Sequence, residues 1–358
     1  MNNNPTANTS IDHSSHSSHA NHANNADTIH LPISQIREIS YQALRKHGAI
    51  DWIAAAVADA VAVAEAKGNK ICGLYYLESY CQQLQTGRVQ GHLTPIVSQP
   101  KPSAVYVDAQ FGFAQAAFAK GLPKAIETAQ SQGICVLSVA HAHTCTSLGY
   151  FTEQIAHAGL IGIGMTNASA IVSPPNGNQP VIGTNPIAMS VPAQSGGIAF
   201  QFDQSTSAVA LGKITMAKAA GTKIPLGWAI DAAGQPTDDP EKALGGSLCS
   251  AGGYKGWGFG LMAEIFAAGL TGSVNSSDVA ALKAPEGKPH DLGQCYLLID
   301  PQINQHESFW QRLSQLTEAV NAQDGARLPG SIDKSSNAVD VDRALWDKLQ
   351  LLIKDSES

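Results

Sequence analysis

Short apolar runs alternate with a long helical pattern through the middle of this chain. Residues 104–107 and 134–139 are predicted to be buried strands, and the pattern between them, at 114–132, is typical of a helix. Further strands are predicted at 161–165 and 294–299. This alternation predicts an α/β core. Because no G-x-G-x-x-G follows any of these strands, the sequence does not support a Rossmann cofactor site.

Helical patterns flank this core on both sides. Ser34 and Asp51 are the candidate N-caps of two helices, and a third helix is predicted at 74–84. After the core, helices are predicted at 307–320 and 341–353. We therefore expect three parts: N-terminal helices at 29–102, an α/β cofactor- and substrate-binding domain at 103–300, and C-terminal helices at 301–358 that pack on the N-terminal part.

The first 28 residues are mostly Asn, Ser, His and Ala, so they offer almost nothing to bury and are predicted to form a disordered tail. Within it, His13, His16, His19 and His22 recur every third residue. Such a tract can bind a divalent metal adventitiously. A solvated tail is the simpler interpretation, and we predict no metal site.

Composition limits the class of protein. The chain has 358 residues, of which 44% are hydrophobic and 14% charged, and this fits a two-domain enzyme with a large core. The formal charge of -7 and the lack of a basic stripe argue against a nucleic-acid partner. No apolar run approaches the roughly 20 residues of a membrane helix, and no secretory signal is evident. Six scattered cysteines without CxxC pairs indicate reduced thiols and a cytoplasmic protein.

A glycine-rich segment precedes an apolar helix predicted at 261–270. Five glycines and Lys255 lie between Gly252 and Gly260. Glycine allows a close backbone approach and positive φ, and a helix N-terminus presents free N–H groups to anions. The segment therefore suits a phosphate or carboxylate. The alternative is a tight loop that only packs the helix.

Five motifs in order resemble one enzyme family. They are Val-Asp-Ala-Gln-Phe-Gly-Phe-Ala-Gln at 107–115, Gly-Thr-Asn-Pro-Ile-Ala at 183–188, Ser-Thr-Ser-Ala-Val-Ala-Leu-Gly-Lys-Ile at 205–214, Gly-Gln-Pro-Thr-Asp-Asp-Pro at 234–240 and Gly-Gly-Tyr-Lys-Gly at 252–256. The chain, from about residue 33 to its end, resembles the type-II malate/L-lactate dehydrogenases, NAD(P)H-dependent oxidoreductases distinct from the Rossmann-type enzymes. The resemblance implies a non-Rossmann, mixed-sheet cofactor domain, a helical part built from both chain ends, and a homodimer acting on a small-molecule substrate.

The chain departs from this family at its catalytic segment. Where the family has Ser-His-Gly followed by an Arg, this sequence has Ile71, Cys72, Gly73 and Tyr76. In the family the His donates a proton, the Ser is its relay partner and the Arg binds the substrate carboxylate. An unperturbed cysteine has a pKa of about 8.5, so Cys72 is a candidate acid, and Tyr76 a candidate hydrogen-bond partner of the substrate. The alternative is that both residues only pack.

The resemblance implies four groups of cofactor contacts and one of substrate contacts. The loop after the second strand contributes His143 as a candidate proton donor; the alternative, a metal pair with His141, lacks a third ligand. Asp203 and Ser205 also fit N-caps of the following helix. Arg327 and Lys334 suit a 2′-phosphate, which favours NADPH over NADH. The implied cofactor residues are Thr144, Cys145, Thr146, Ser147, Leu148, Asp203, Gln204, Ser205, Gly253, Tyr254, Lys255, Arg327, Leu328, Pro329, Gly330 and Lys334; the implied substrate residues are Thr184, Leu211 and Gly212.

These observations lead to one hypothesis and two alternatives. Phe113-Ala-Gln115 resembles the branch that reduces Δ1-pyrroline- and Δ1-piperideine-2-carboxylate. Lys213, a further candidate catalytic residue, stands where that branch has a relay Asp. A ketone needs a proton donor after hydride transfer, but a cyclic iminium already carries its proton. Loss of Ser-His-Arg therefore favours an imine reductase. The alternatives are a 2-hydroxyacid dehydrogenase for malate, lactate, sulfolactate or ureidoglycolate, and an inactive nucleotide-binding paralogue.

Overall fold

The computed structural model describes residues 27–305, 308–330 and 335–354. Eleven strands lie in these ranges: β1 Thr28–Pro32, β2 Ile96–Lys101, β3 Ala104–Asp108, β4 Ile134–Ala142, β5 Ile161–Thr166, β6 Ile187–Pro192, β7 Ile198–Gln204, β8 Ala229–Ile230, β9 Ser247–Leu248, β10 Leu292–Ile299 and β11 Ala338–Asp342. The same ranges contain ten α-helices: α1 Ile33–Lys46, α2 Asp51–Ala66, α3 Leu77–Gln85, α4 Ala114–Gln132, α5 Gly149–His157, α6 Leu211–Ala219, α7 Pro240–Leu244, α8 Tyr254–Glu264, α9 Ser308–Asn321 and α10 Arg343–Ile353. No helix in the described ranges is long and apolar enough to span a bilayer.

Seven strands form one mixed sheet in the order β2-β3-β4-β10-β5-β6-β7. Only β3 and β4 run parallel to each other; all other neighbours in this sheet are antiparallel. β10 returns from late in the chain to the middle of the sheet, where Gln294 pairs with Val139 of β4 and Thr166 of β5. The predicted α/β core with a non-Rossmann mixed sheet is confirmed.

The two chain ends form one helical layer, as predicted. β1 pairs with β11 in antiparallel register, with Thr28 opposite Asp342. α10 packs against α1 and α3, so that Trp346 and Leu349 join the same buried cluster as Ile36. The apolar spacing of each helix supplies one buried face, and these faces cover one another. α9, in contrast, carries no buried side chain in the described structure.

Three predicted helix starts were wrong. α1 begins at Ile33 with Pro32 at the cap position, and Asp51 is the first residue of α2, not its cap. Neither helix has a side-chain cap, and the Asp51 carboxylate instead accepts a hydrogen bond from the Tyr41 hydroxyl. The helix predicted at 74–84 is replaced by short 3₁₀ turns at Lys70–Cys72 and Leu74–Tyr76, followed by α3.

The glycine-rich segment is mostly helix, because α8 begins at Tyr254 and not near residue 261. Gly252 and Gly253 form the turn before it, both with φ of 67°, a conformation that favours glycine. Gly256 and Gly260 lie within the helix, where side chains do not fit. An added Cβ would lie 1.8 Å from the Ala251 carbonyl oxygen at the first position and 2.7 Å from Ile182 Cδ1 at the second. These two glycines therefore serve close packing.

Candidate active site

The segment that carries Cys72 and Tyr76 is held by a buried carboxylate. Glu65, at the end of α2, is 3% exposed and accepts a hydrogen bond from Leu74 N at 2.8 Å. A Cβ on Gly73 would lie 2.3 Å from Glu65 Oε1, so a larger residue at this position would displace the Glu65 carboxylate. Burial raises the pKa of Glu65, and the hydrogen bond from Leu74 opposes that rise. Glu65 thereby fixes the turn in which the family's catalytic residues would lie.

Neither Cys72 nor Tyr76 is easily ionised. Cys72 is half-buried, and desolvation, reinforced by the charge of Asp203, raises the pKa of its thiol to about 12. Tyr76 is 8% exposed, and burial raises the pKa of its hydroxyl. Both groups are protonated near neutrality, and both are weaker acids than their free side chains. The ordinary cysteine pKa on which the acid role of Cys72 rested does not apply here.

Asp203, at the end of β7, joins two of the predicted cofactor segments. Its Oδ2 accepts hydrogen bonds from Gly149 N at 2.8 Å and from Ser147 Oγ at 3.4 Å. Desolvation by surrounding protein raises the pKa of this carboxyl, while the two hydrogen bonds lower it. Asp203 therefore sits at the start of α5, not of the helix that follows it in sequence. Ser205 is not a cap either, because α6 begins only at Leu211.

The loop 144–148 lies next to Asp203 and is mostly buried. Thr144 N donates to His290 Nδ1 at 3.2 Å, and the buried Cys145 carbonyl accepts from Gln115 Nε2 at 3.2 Å. Thr146 has φ of 61°, and its hydroxyl donates to the Cys145 carbonyl at 2.6 Å. Leu148 is buried just before α5. Hydrogen bonds thus hold the loop at Thr144 and Cys145. Its partly exposed residues are Thr146 and Ser147, and Ser147 lies beside Asp203.

His143 belongs to a buried pair of histidines. Its ring stacks on His290 with centroids 3.9 Å apart and planes at 19°. Its Nε2 lies 2.5 Å from Oε1 of Gln83, whose amide nitrogen donates to the Leu282 and Ala284 carbonyls, so Nε2 of His143 carries the proton. Burial lowers the pKa of His143 well below its ordinary value and that of His290 to about 3. A neutral ring with its N–H already bonded is a poor proton donor.

His141 faces elsewhere. Its Nδ1 lies 2.7 Å from Asp291 Oδ1, and its backbone N–H donates to Ser273 Oγ at 3.0 Å. The two histidines of this loop therefore have different partners, which argues against the metal pair considered from the sequence.

The predicted substrate residues lie around the Cys72 segment and α8. The Thr184 carbonyl accepts from Thr206 N at 2.9 Å, and the next residue, Asn185, donates to Glu264 Oε2 of α8 at 2.7 Å. Gly212, the second residue of α6, lies next to Ile71: an added Cβ would lie 4.0 Å from Ile71 Cδ1. Leu211 and Lys213, on either side of Gly212, are both exposed.

The loop 327–330 packs against β7, close to Asp203. The Pro329 carbonyl accepts from Gln201 N at 3.1 Å, and a Cβ on Gly330 would lie 2.7 Å from the Gln201 carbonyl oxygen. Arg327 is exposed and has no ion pair among the described residues. Leu328 is buried. Lys334, the other predicted phosphate partner, lies outside the described residues.

The structure thus brings together three of the four predicted cofactor groups. A cleft of about 220 Å³ beside them is lined by Lys67, Asn69, Ser147 and Asp203. Gly253 and Tyr254 line a second cleft of about 520 Å³, together with residues 173–178 and 248–250. Lys255 is exposed at the start of α8. Gln204 and Ser205 continue from Asp203 at the end of β7.

Sequence reasoning missed the polar residues that support this site from beneath. They are Glu65, Gln83, Arg88, Lys283 and His290. A weak signal existed, since Glu65 ends a helix of Ala and Val and Gln83 lies on the buried side of α3. Arg88, Lys283 and His290 lie in segments without periodicity, and only their packing reveals them.

Residues 31–350 match the family model described as malate/L-lactate dehydrogenase, so the chain belongs to this family and is an oxidoreductase. It is similar to a Δ1-pyrroline-2-carboxylate reductase of Pseudomonas fluorescens, with 35% identity over 84% of this chain and 90% of the relative. It is also similar to an NADP⁺-dependent (2R)-3-sulfolactate dehydrogenase of Chromohalobacter salexigens, with 34% identity over 84% and 90%. The crystal structure of Δ1-piperideine-2-carboxylate reductase from Pseudomonas syringae pv. tomato superimposes with a TM-score of 0.84 at 31% identity, covering 91% of this chain and 100% of that one.

Proposed function

We propose that this enzyme reduces a cyclic 2-imino carboxylate, Δ1-pyrroline-2-carboxylate to L-proline or Δ1-piperideine-2-carboxylate to L-pipecolate, with NADPH. The observation that carries the proposal is the state of the three candidate proton donors. Desolvation raises the pKa values of Cys72, to about 12, and of Tyr76, while His143 is neutral and bonded to Gln83. Similarity to several reductases of these imines supports the same assignment.

The chemistry of the imine explains why a site with such weak proton donors suffices for its reduction. The ring nitrogen of the iminium already carries a proton, so addition of hydride to C2 breaks the C=N π bond and gives a neutral amine. One imine, one proton and one NADPH yield one amino acid and one NADP⁺. A 2-keto acid would leave an alkoxide, which needs a proton from a well-placed acid, a contribution of roughly 10²–10⁴-fold. Cys72, Tyr76 and His143 are poorly suited to that task.

The residues near Asp203 fit a nicotinamide cofactor, which supplies the hydride when bound. Ser147 offers a hydroxyl and Asp203 a carboxylate at one cleft, and the 327–330 loop packs against β7, the strand that carries Asp203. Arg327, exposed and without an ion pair among the described residues, suits the 2′-phosphate of NADPH because a guanidinium binds phosphate bidentately. NADH would lack this contact.

We further propose a homodimer. The segment from α8 through the π-helical turn Ile265–Gly269 exposes Phe259 at 57%, Leu261 at 42%, Ile265 at 57% and Leu270 at 55%. A concentration of exposed apolar side chains of this kind is typical of a subunit interface. A Phe259→Asp variant is expected to shift the mass measured by light scattering from dimer to monomer. The six cysteines, all free, fit a reducing cytoplasm.

The decisive experiment follows the loss of NADPH absorbance with Δ1-pyrroline-2-carboxylate, with pyruvate and oxaloacetate assayed in parallel. Turnover of the imine alone supports the proposal. Turnover of the keto acids alone overturns it and favours the second candidate, a 2-hydroxyacid dehydrogenase, for which the 34%-identical sulfolactate dehydrogenase is the supporting relative. Binding of NADPH without turnover of any of these substrates would indicate an inactive paralogue.

A further inference from the structure

Arg88 is a buried cation with an unused hydrogen-bond donor. The residue is 1% exposed and is the largest fully buried side chain of the described structure. Its Nε donates to the Lys288 carbonyl at 2.9 Å and its Nη1 to the Ala284 carbonyl at 2.5 Å. Its Nη2 is buried without a partner. No carboxylate in the described residues forms an ion pair with it, so its charge is not neutralised.

Such an arrangement is costly unless an anion completes it. Removing a guanidinium from water costs several kcal/mol, and carbonyl oxygens satisfy its hydrogens without cancelling its charge. Burial lowers the pKa of Arg88, but arginine remains charged at neutral pH. The neighbouring His143 and His290 are neutral, and the charge of Arg88 is one reason why. The cluster contains a positive charge and no negative one.

The cluster lies beneath the segment that carries Cys72 and Tyr76. The rings of Tyr76 and Tyr80 are 5.3 Å apart, and those of Tyr80 and His143 are 5.5 Å apart, so aromatic contacts connect Tyr76 with the histidine pair. On the other side, the Lys283 ammonium lies 3.3 Å from the Tyr75 ring centroid and 4.6 Å from that of Tyr76. Lys283 also has no ion pair in the described structure. Tyr76 therefore lies close to Lys283, and Arg88 is near enough to act electrostatically on it.

We propose that Arg88 binds the carboxylate of the substrate through Nη2, in place of an arginine at the position of Tyr76. The inference rests on the proposed function, since it assigns the carboxylate site of the same reaction. A carboxylate offers two oxygens in the geometry that a guanidinium prefers and supplies the missing charge. Because Nη2 is covered in this structure, binding requires residues 282–288 to move. They are tied to this region by hydrogen bonds such as Thr86 Oγ1 to the Pro285 carbonyl at 2.7 Å.

The test compares substrates with and without a carboxylate. Arg88→Met keeps a flexible, unbranched side chain but is shorter and removes the charge, and Arg88→Lys keeps the charge without the planar guanidinium. Arg45→Met is a control for the loss of an arginine charge, because the exposed Arg45 also donates to a backbone carbonyl, that of Ala49, at 2.5 Å and lacks an ion pair in the described structure. Each variant is assayed with NADPH and either Δ1-pyrroline-2-carboxylate or Δ1-pyrroline.

For Arg88→Met we expect kcat/KM for the carboxylate substrate to fall roughly 10- to 100-fold, the effect of losing a hydrogen bond to a charged group. The values for Δ1-pyrroline and the KM for NADPH should stay within about threefold of wild type. Arg88→Lys should recover part of the loss, and Arg45→Met should behave as wild type. An equal fall in kcat/KM for both substrates would mean that Arg88 only stabilises the fold, and this would overturn the assignment. Unchanged kcat/KM in Arg88→Met would overturn it as well. So would a loss for the carboxylate substrate that appears in Lys283→Met and not in Arg88→Met.

A binding measurement separates this inference from the proposed function. Pyrrole-2-carboxylate is a flat analogue of the imine, and calorimetry in the presence of NADP⁺ reads its affinity without turnover. Weaker binding to Arg88→Met than to wild type and Arg45→Met supports the carboxylate site even if the wild-type enzyme reduces no imine. Unchanged affinity refutes the site even if the imine is reduced.

Discussion

Acidification from pH 7 to pH 5 is expected to destabilise this protein through His290. The ring is 1% exposed, and burial, assisted by the charge of Arg88, lowers its pKa from 6.5 to about 3. The unfolded chain therefore takes up a proton as the pH falls through 6.5, whereas the folded protein does not. The contribution of the neutral His290 ring to the free energy of unfolding is fully present above pH 6.5 and is lost as the pH falls towards 3. At pH 5 the loss is about 2 kcal/mol, from 1.36 kcal/mol for each pH unit below the unfolded pKa.

Other groups also contribute to this pH dependence, so a variant is needed to isolate His290. His143 acts in the same direction because its pKa is also lowered, whereas Glu65 and Asp203 act in the opposite direction because their pKa values are raised. His290→Asn removes the titration and keeps an acceptor for Thr144 N.

The assay is urea unfolding followed by tryptophan fluorescence at pH 7, 6 and 5. The free energy of unfolding of wild type should fall by about 2 kcal/mol more than that of His290→Asn over this interval, with equal m-values. Equal declines in the two proteins would refute the reasoning, because they would show that His290 titrates alike in the folded and unfolded states.

Three further predictions concern the site and its support. Cys72→Ser should keep the imine reductase kcat within about threefold, since general acid catalysis contributes roughly 10²–10⁴-fold where it operates and we expect none from this thiol; a loss of that size would restore Cys72 as the acid. Gly293→Ala should lower the free energy of unfolding by about 1–3 kcal/mol, because its Cβ would lie 1.7 Å from the Ala267 carbonyl oxygen. Gly269→Ala, with open space at that position, should be nearly neutral in the same denaturation assay. Arg327→Ala should raise the KM for NADPH roughly tenfold and leave that for NADH unchanged, as expected when one charged hydrogen-bonding partner is lost; equal effects on both cofactors would rule out a contact with the 2′-phosphate.

The sequence by itself determined the architecture of the core and the family. Strands such as β4 and β10 are mostly apolar runs, as expected for strands that are buried on both faces. The sequence also predicted the turn at Gly252 and Gly253, since positive φ favours glycine. The departure at Cys72 and Tyr76, from which the imine reductase hypothesis arose, is likewise a property of the sequence.

Tertiary structure decided where helices begin and which polar groups work together. α8 starts at Tyr254, directly after the turn at Gly252 and Gly253, and its glycines pack against Ala251 and Ile182. Residues 70–76 form 3₁₀ turns that Glu65 holds through Leu74 N. Arg88 and His290 meet although they are far apart in the chain. Local patterns record propensity and burial, but the pKa of a thiol or the missing counter-ion of an arginine depends on what distant segments place around it. Only the folded chain contains that information.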